Sequence, residues 1–170
     1  GRASLQAPGL HLFNDQRSYR AEHFTLNGLL DTDSTAVELD SDVARVDYHA
    51  NLSLDSTEQL LRERLLGAFE EPYRFKSPPG RRIDLKVDLP GTERVGTLLL
   101  PELHALELKR LEAHYDSDRD ALLVDVDLPQ LDYGGVVTQG LLLHIDATGP
   151  KLKGQLNVLR VVRDSLHLDD

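Results

Sequence analysis

The chain contains no cysteine, no methionine and no tryptophan, and aromatic residues make up only 5% of its 170 positions. The missing cysteines exclude disulfides, thiolate metal sites and a cysteine nucleophile, and leave the compartment open. Positive charge is in short supply: 19 Lys and Arg stand against 29 Asp and Glu, a net charge of −10. That balance argues against nucleic acid, which needs clustered cations, and against electrostatic docking on anionic lipid headgroups. No stretch approaches the ~18 consecutive apolar residues of a membrane-spanning helix, and no signal peptide is recognisable. With no methionine, and a pattern that breaks off at residues 165–170, the chain reads as an excerpt of a longer protein. It is expected to be a single β-rich segment over residues 1–170.

What the chain does have is aliphatic side chains in alternation. Hydrophobic residues are 40% of the total, mostly Leu and Val, so a packed structure is expected and disorder is not. The clearest pattern fills residues 121–168. Leu122, Val124, Val126 and Leu128 alternate with Leu123, Asp125 and Asp127. After Tyr133-Gly134-Gly135, Leu141, Leu143, Ile145 and Ala147 alternate with Leu142, His144 and Asp146. After Thr148-Gly149-Pro150, Leu152, Gly154, Leu156 and Val158 alternate with Lys151, Lys153, Gln155 and Asn157. A period of two puts each set on its own face of a strand. Upstream, Val46, Tyr48, Ala50, Leu52 and Leu54 repeat the pattern, as do Ile83, Leu85, Val87 and Leu89. A first strand is expected through Tyr19, Phe24 and Leu26 with a bulge near His23, and a short one over 35–39. A second bulge is expected near Lys109-Arg110, where the apolar phase changes. A further short strand is expected at 165–168.

Only one stretch has a helical period. Ser56-Thr57-Glu58-Gln59 has the form of a capping box. Leu61, Leu65, Ala68 and Phe69 then fall on one helical face, with Arg62, Glu63, Arg64 and Glu70 off it, and Pro72 ends the run. A helix over 57–70 is expected, laid across a sheet or plugging its end, with a short helical turn within 92–100, before Pro101. Most strands are joined by short Gly, Pro or polar turns, which is hairpin connectivity. The expected fold is mainly β: a curled antiparallel sheet of about nine strands, an open β-taco or half-barrel, with one helix. A closed barrel or sandwich is the competing architecture.

No residue pattern demands chemistry. Asp116, Asp118 and Asp120 open like a calcium loop, but Ala121 stands where such a loop needs Gly and a strand follows. None of the seven His has metal-ligand spacing, and His49 and His144 lie on polar strand phases. No glycine loop precedes a helix to cradle phosphate. The expectation is a non-enzyme, with no catalytic residue, cofactor or metal. What remains is an aliphatic surface, which is either the core of a closed domain or, in an open sheet, a trough. An acyl chain of ~14 methylenes leaving water for such a trough gains on the order of 11 kcal/mol, at ~0.8 kcal/mol per methylene. The candidate lining is Val46, Tyr48, Leu52, Leu54, Ile83, Leu85, Val87, Leu122, Val124, Val126, Leu141, Leu143, Ile145, Leu152 and Leu156.

The order of these segments also carries a resemblance. An alternating strand over 43–54 is followed by the helix, then Glu71-Pro72-Tyr73-Arg74-Phe75, a strand over 83–89 and Thr97-Leu98-Leu99-Leu100-Pro101. Last comes Leu128-Pro129-Gln130-Leu131-Asp132-Tyr133-Gly134-Gly135 with the strand over 140–145. The chain resembles, over most of residues 18–170, an interior segment of TamB-like translocation and assembly module proteins, within the wider AsmA-like group. The resemblance implies a periplasmic protein anchored at the inner membrane of a two-membrane bacterium. It implies a folded-over sheet with an apolar groove, and a role in moving phospholipids between the membranes or in outer-membrane protein assembly. The implied partners are phospholipid acyl chains and, through the full-length protein, a TamA-type outer-membrane barrel. A scaffold that receives unfolded β-strands at its open edges is a further reading of the same architecture, alongside a closed binding module.

Overall fold

The computed structural model describes residues 1–13, 18–67, 75–89 and 102–163. In chain order these form β1 (Arg2–Gln6), β2 (His11–Phe13), β3 (Ser18–Arg20), β4 (Phe24–Leu30), β5 (Thr35–Ser41) and β6 (Arg45–Ala50). The helix α1 (Leu54–Gly67) follows, then β7 (Arg82–Leu89), β8 (Leu103–Asp116), β9 (Ala121–Tyr133), β10 (Val136–Thr148) and β11 (Lys151–Arg163). Nine strands build one antiparallel sheet in the order β1-β4-β5-β6-β7-β8-β9-β10-β11, while β2 and β3 form a separate hairpin. Strands β1 and β11 are its two edges, so the sheet is open and not a closed barrel.

The turns explain the register. Tyr133 pairs with Val136 across a two-residue loop, Gly134-Gly135, in which both residues have positive φ, +55° and +75°. That is the backbone a tight hairpin needs, and glycine adopts it without steric cost. The β8–β9 turn closes with Asp120 at φ +46°, a left-handed conformation that Asp tolerates. Its Asp116 carboxylate accepts from the Asp118 amide at 2.9 Å. Once such turns fix the pairing, every aliphatic residue of one phase lands on the same face.

The bulge expected at Lys109-Arg110 has a counterpart. Val87 pairs with Leu111 but Leu89 with Leu108, one residue out of step. The feature expected at His23 is instead a break: β3 ends at Arg20 and β4 starts at Phe24. The weakly patterned N-terminus supplies β1, which adds a ninth strand beside β4.

The helix starts earlier than its capping box implied. Ser53 takes the N-cap role: its hydroxyl accepts from the Ser56 amide at 3.2 Å and donates to the Ser56 hydroxyl at 2.8 Å. The alternation that seemed to carry a strand to Leu54 therefore stops at Ala50, and Leu54 is the first, exposed residue of α1. The buried face is also different. Thr57, Leu60, Arg64 and Gly67 point into the protein, while Leu65 and Leu66 are exposed. Ala68, Phe69, Glu70, the segment 71–74, the helical turn expected within 92–100, Pro101 and the strand expected at 165–168 lie outside the described residues.

Candidate functional site

The two faces of the main sheet differ in chemistry. The polar face carries His–Asp and Arg–Asp pairs. His114 Nδ1 sits 2.5 Å from Asp84, His144 Nδ1 2.8 Å from Asp125, and Arg45 Nε 3.4 Å from Asp40. All six side chains are largely exposed, so each pair adds only about 0–1 kcal/mol. Shallow hollows lie on this face, among them ones of about 280 and 640 Å³, the first lined by Thr25, Glu38, Asp40, Arg45, Asp47 and Lys86 among others. Among the described residues no group of three or more His, Asp or Glu is placed to hold a metal ion. The suspected calcium loop shows why: Asp116 caps its own turn, Asp118 accepts from the Gly80 amide at 2.7 Å, and Asp120 meets Arg64 Nε at 3.0 Å.

The opposite face is aliphatic, and the strand pairings sort it into rows. The uppermost row runs Ala50, Ile83, Tyr115, Leu122, Ala147, Leu152 across β6 to β11. All but Leu152 are buried, because α1 lies over them: Leu60 and Leu52 join Tyr48, Ala50, Ile83, Tyr115, Leu122 and Ala147 in one core cluster. Leu85, Val124, Ile145 and Leu152 pack against that cluster. Polar contacts hold the helix in place. Tyr48 Oη donates to Thr57 Oγ1 at 2.8 Å. Arg64, with no exposed side-chain surface, donates to the Ala147 and Gly149 carbonyls at 2.9 Å each and to the Asp120 carbonyl at 3.2 Å. Its guanidinium carbon also lies 5.7 Å from the Phe75 ring centre. Burial raises the Tyr115 phenol above its ordinary value of 10.0, an effect that the Ser77 hydroxyl partly offsets.

Four residues further down the strands from that row, the helix no longer covers the face. There the pairings define one row with a residue from each of the nine strands: Leu5, Leu26, Leu39, Val46, Val87, Leu111, Val126, Leu143 and Leu156. All nine are Leu or Val, and none is buried. At ~4.8 Å between neighbouring strands the row spans about 38 Å. Leu5 and Leu156, at the two ends, are 52% and 61% exposed. A row of this composition in a folded core would be close to fully covered; here it is a continuous half-wet aliphatic strip.

The expected lining residues therefore divide. Tyr48, Leu52, Ile83 and Leu122 are core, and Leu85, Val124, Ile145 and Leu152 lie against it. Val46, Val87, Val126, Leu143 and Leu156 belong to the open strip, with Leu141 between Leu128 and Val158 one step beyond. Leu54 is on the helix and lines nothing on the sheet. Leu5, Leu26, Leu39 and Leu111 complete the strip and were not expected in it. Each alternates correctly in its own strand, and only the pairing with a neighbour shows that they share a row. Among the described residues no helix is long and apolar enough to cross a membrane. Compared with protein-family models, with curated proteins and with solved structures, the chain matches none of them.

Proposed function

We propose that this chain is a lipid-handling segment whose aliphatic strip forms the floor of a trough for phospholipid acyl chains. The observation that carries the reading is the nine-residue row of Leu and Val, unbroken from edge to edge and uncovered by α1. A trough that passes acyl chains along needs a surface without charge, without a closed end and without a site of strong local preference. The row has only aliphatic groups, and it runs out at both edges on exposed leucines. Its ~38 Å exceeds the ~15 Å of one leaflet's hydrocarbon, half of a ~30 Å bilayer core. Two or more chains fit along it in sequence. Binding is by burial alone, so no residue reacts and none is catalytic.

Joined to the resemblance to TamB-like proteins, this reading gives the chain a place. It would be a periplasmic section of a longer protein, anchored at the inner membrane, that carries phospholipids toward the outer membrane and supports assembly of outer-membrane proteins with a TamA-type barrel. The carrying observation is tested by purifying the chain from cells and measuring bound lipid by native mass spectrometry. Co-purified phospholipid that is lost in Leu143→Arg, with folding retained, is the expected result. A wild-type chain that carries no lipid, and takes none from vesicles, sinks the reading.

A further inference from the structure

Strand β11 is an open edge whose charge differs in sign from that of the rest of the molecule. Its thirteen residues include Lys151, Lys153, Arg160 and Arg163 and no acid, in a chain of net charge −10. Among the described residues it is paired on one side only, through β10. Leu156, Val158, Leu159 and Val161 are 61%, 39%, 83% and 60% exposed. Natural edge strands are blunted by shortness, prolines or charges aimed inward across the apolar face. Between residues 151 and 158 this edge has none of these. Lys151 and Lys153 alternate with Leu152, Leu156 and Val158, so the cations stay on the polar face and the aliphatic phase is left bare.

We propose that β11 is a docking edge for an extended segment of another polypeptide, one that alternates aliphatic residues with Asp or Glu. Such a strand adds its backbone to the free ladder, continues the aliphatic phase beyond Leu156, and sets its carboxylates beside Lys151 and Lys153. The described edge strands of a second copy do not offer that chemistry. Its β11 would place four cations against four, and its other edge, β1, carries Arg2 and no acid. The charge pattern inside the sheet already follows the same rule: beside β11, Lys153 stands opposite Asp146. The proposal does not depend on lipid binding.

The test uses the whole chain and two synthetic peptides, one alternating valine with glutamate and the other valine with lysine. Hydrogen exchange and fluorescence anisotropy are followed at low and at physiological salt. The glutamate peptide should slow exchange of β11 amides and leave β1 unchanged, with affinity falling as salt rises. The lysine peptide should not bind. The double variant Lys151→Glu/Lys153→Glu, altered only at exposed positions, should weaken the glutamate peptide about tenfold and admit the lysine peptide. Four outcomes overturn the proposal: no protection of β11, equal binding of both peptides, indifference to the charge reversal, or a chain that instead self-associates through β11.

Discussion

Arg64 on the helix donates to the carbonyl of Ala147 at 2.9 Å, a contact that joins residues 83 positions apart. The same guanidinium reaches the Asp120 and Gly149 carbonyls, so one side chain ties α1 to the β8–β9 turn and to the end of β10. Removing it takes a donor from the buried Ala147 carbonyl and the half-buried Gly149 carbonyl, while the Asp120 carbonyl still accepts from the Gly149 amide at 2.8 Å. Arg64→Met is expected to cost about 2–4 kcal/mol, and Arg64→Lys to recover less than half, because an ammonium cannot spread over the same fork of acceptors. In a domain of this size that is a fall of roughly 5–15 °C in melting temperature. Thermal and urea unfolding check it, and a loss under 1 kcal/mol would show that the helix is held by Leu60 and its neighbours alone.

Leu122 and Leu143 are both leucines of the same face, yet they should respond differently to truncation. Leu122 is 2% exposed beneath the helix, and Leu122→Ala should cost about 2–5 kcal/mol. Leu143 lies outside the core cluster, and Leu143→Ala should cost about 1 kcal/mol or less. Leu143→Arg should stay folded while Leu122→Arg unfolds the chain, since a buried unpaired charge is expensive. Far-ultraviolet circular dichroism with urea denaturation separates the four variants. Equal losses at the two positions would mean that the strip is core.

Tyr115 makes stability depend on alkaline pH. Its folded phenol is raised above the ordinary value of 10.0, chiefly by burial. Below that value both folded and unfolded chains hold the proton, and the full contribution is present. As pH rises beyond it the unfolded chain releases its proton first, so stability falls until the higher folded value is passed. Unfolding free energies compared across the alkaline range should show a steeper decline in the wild type than in Tyr115→Phe, and parallel slopes would contradict the assignment.

Asp42 is the acid-side counterpart. The Tyr19 hydroxyl donates to its carboxylate and, as the largest influence, holds its pKa below the ordinary 3.8; burial opposes this. The contact ties the β2–β3 hairpin to the β5–β6 turn. Its contribution is present above the ordinary value and is lost as pH falls through the depressed one. Tyr19→Phe should raise the Asp42 pKa, as followed by carboxyl-carbon NMR, and speed amide exchange in β3. An unmoved titration would rule out the hydroxyl as the cause.

Gly140 is the position in β10 where a side chain is least tolerated. Its φ is +63°, and an added Cβ would stand 2.8 Å from Leu159 Cβ. Gly140→Ala should cost about 1–2 kcal/mol from the left-handed backbone, with more from the clash. Gly140→Ala combined with Leu159→Gly should lose less than the sum of the single changes, because the second removes the atom in the way. Additive losses in a double-mutant cycle would disprove the contact.

The strands were legible because alternation is a local signal: Val124 and Val126 declare their face without reference to any partner. The row was not, because register depends on the connections, and Leu26 and Leu111 share a row only after the four connections between β4 and β8 have set their registers. Arg64 gave no sign at all. An arginine among Arg62 and Glu63 reads as solvated surface, and its acceptors are carbonyls 56 to 85 residues away. The helix boundary was misplaced for a related reason. Leu52 and Leu54 continue the period of β6, but the Ser53 hydroxyl captures the Ser56 amide and turns the chain.

The nine-residue row runs across the main sheet, and each of that sheet's nine strands contributes one tile to it. Its length is therefore counted in hairpins and not in residues. Duplicating one hairpin would extend the strip by about 10 Å with no change in its cross-section, and deleting one would shorten it by the same step while the remaining tiles stayed in line. A surface assembled this way can be lengthened to match a gap of any width, and a fault in one tile interrupts the strip at a single point.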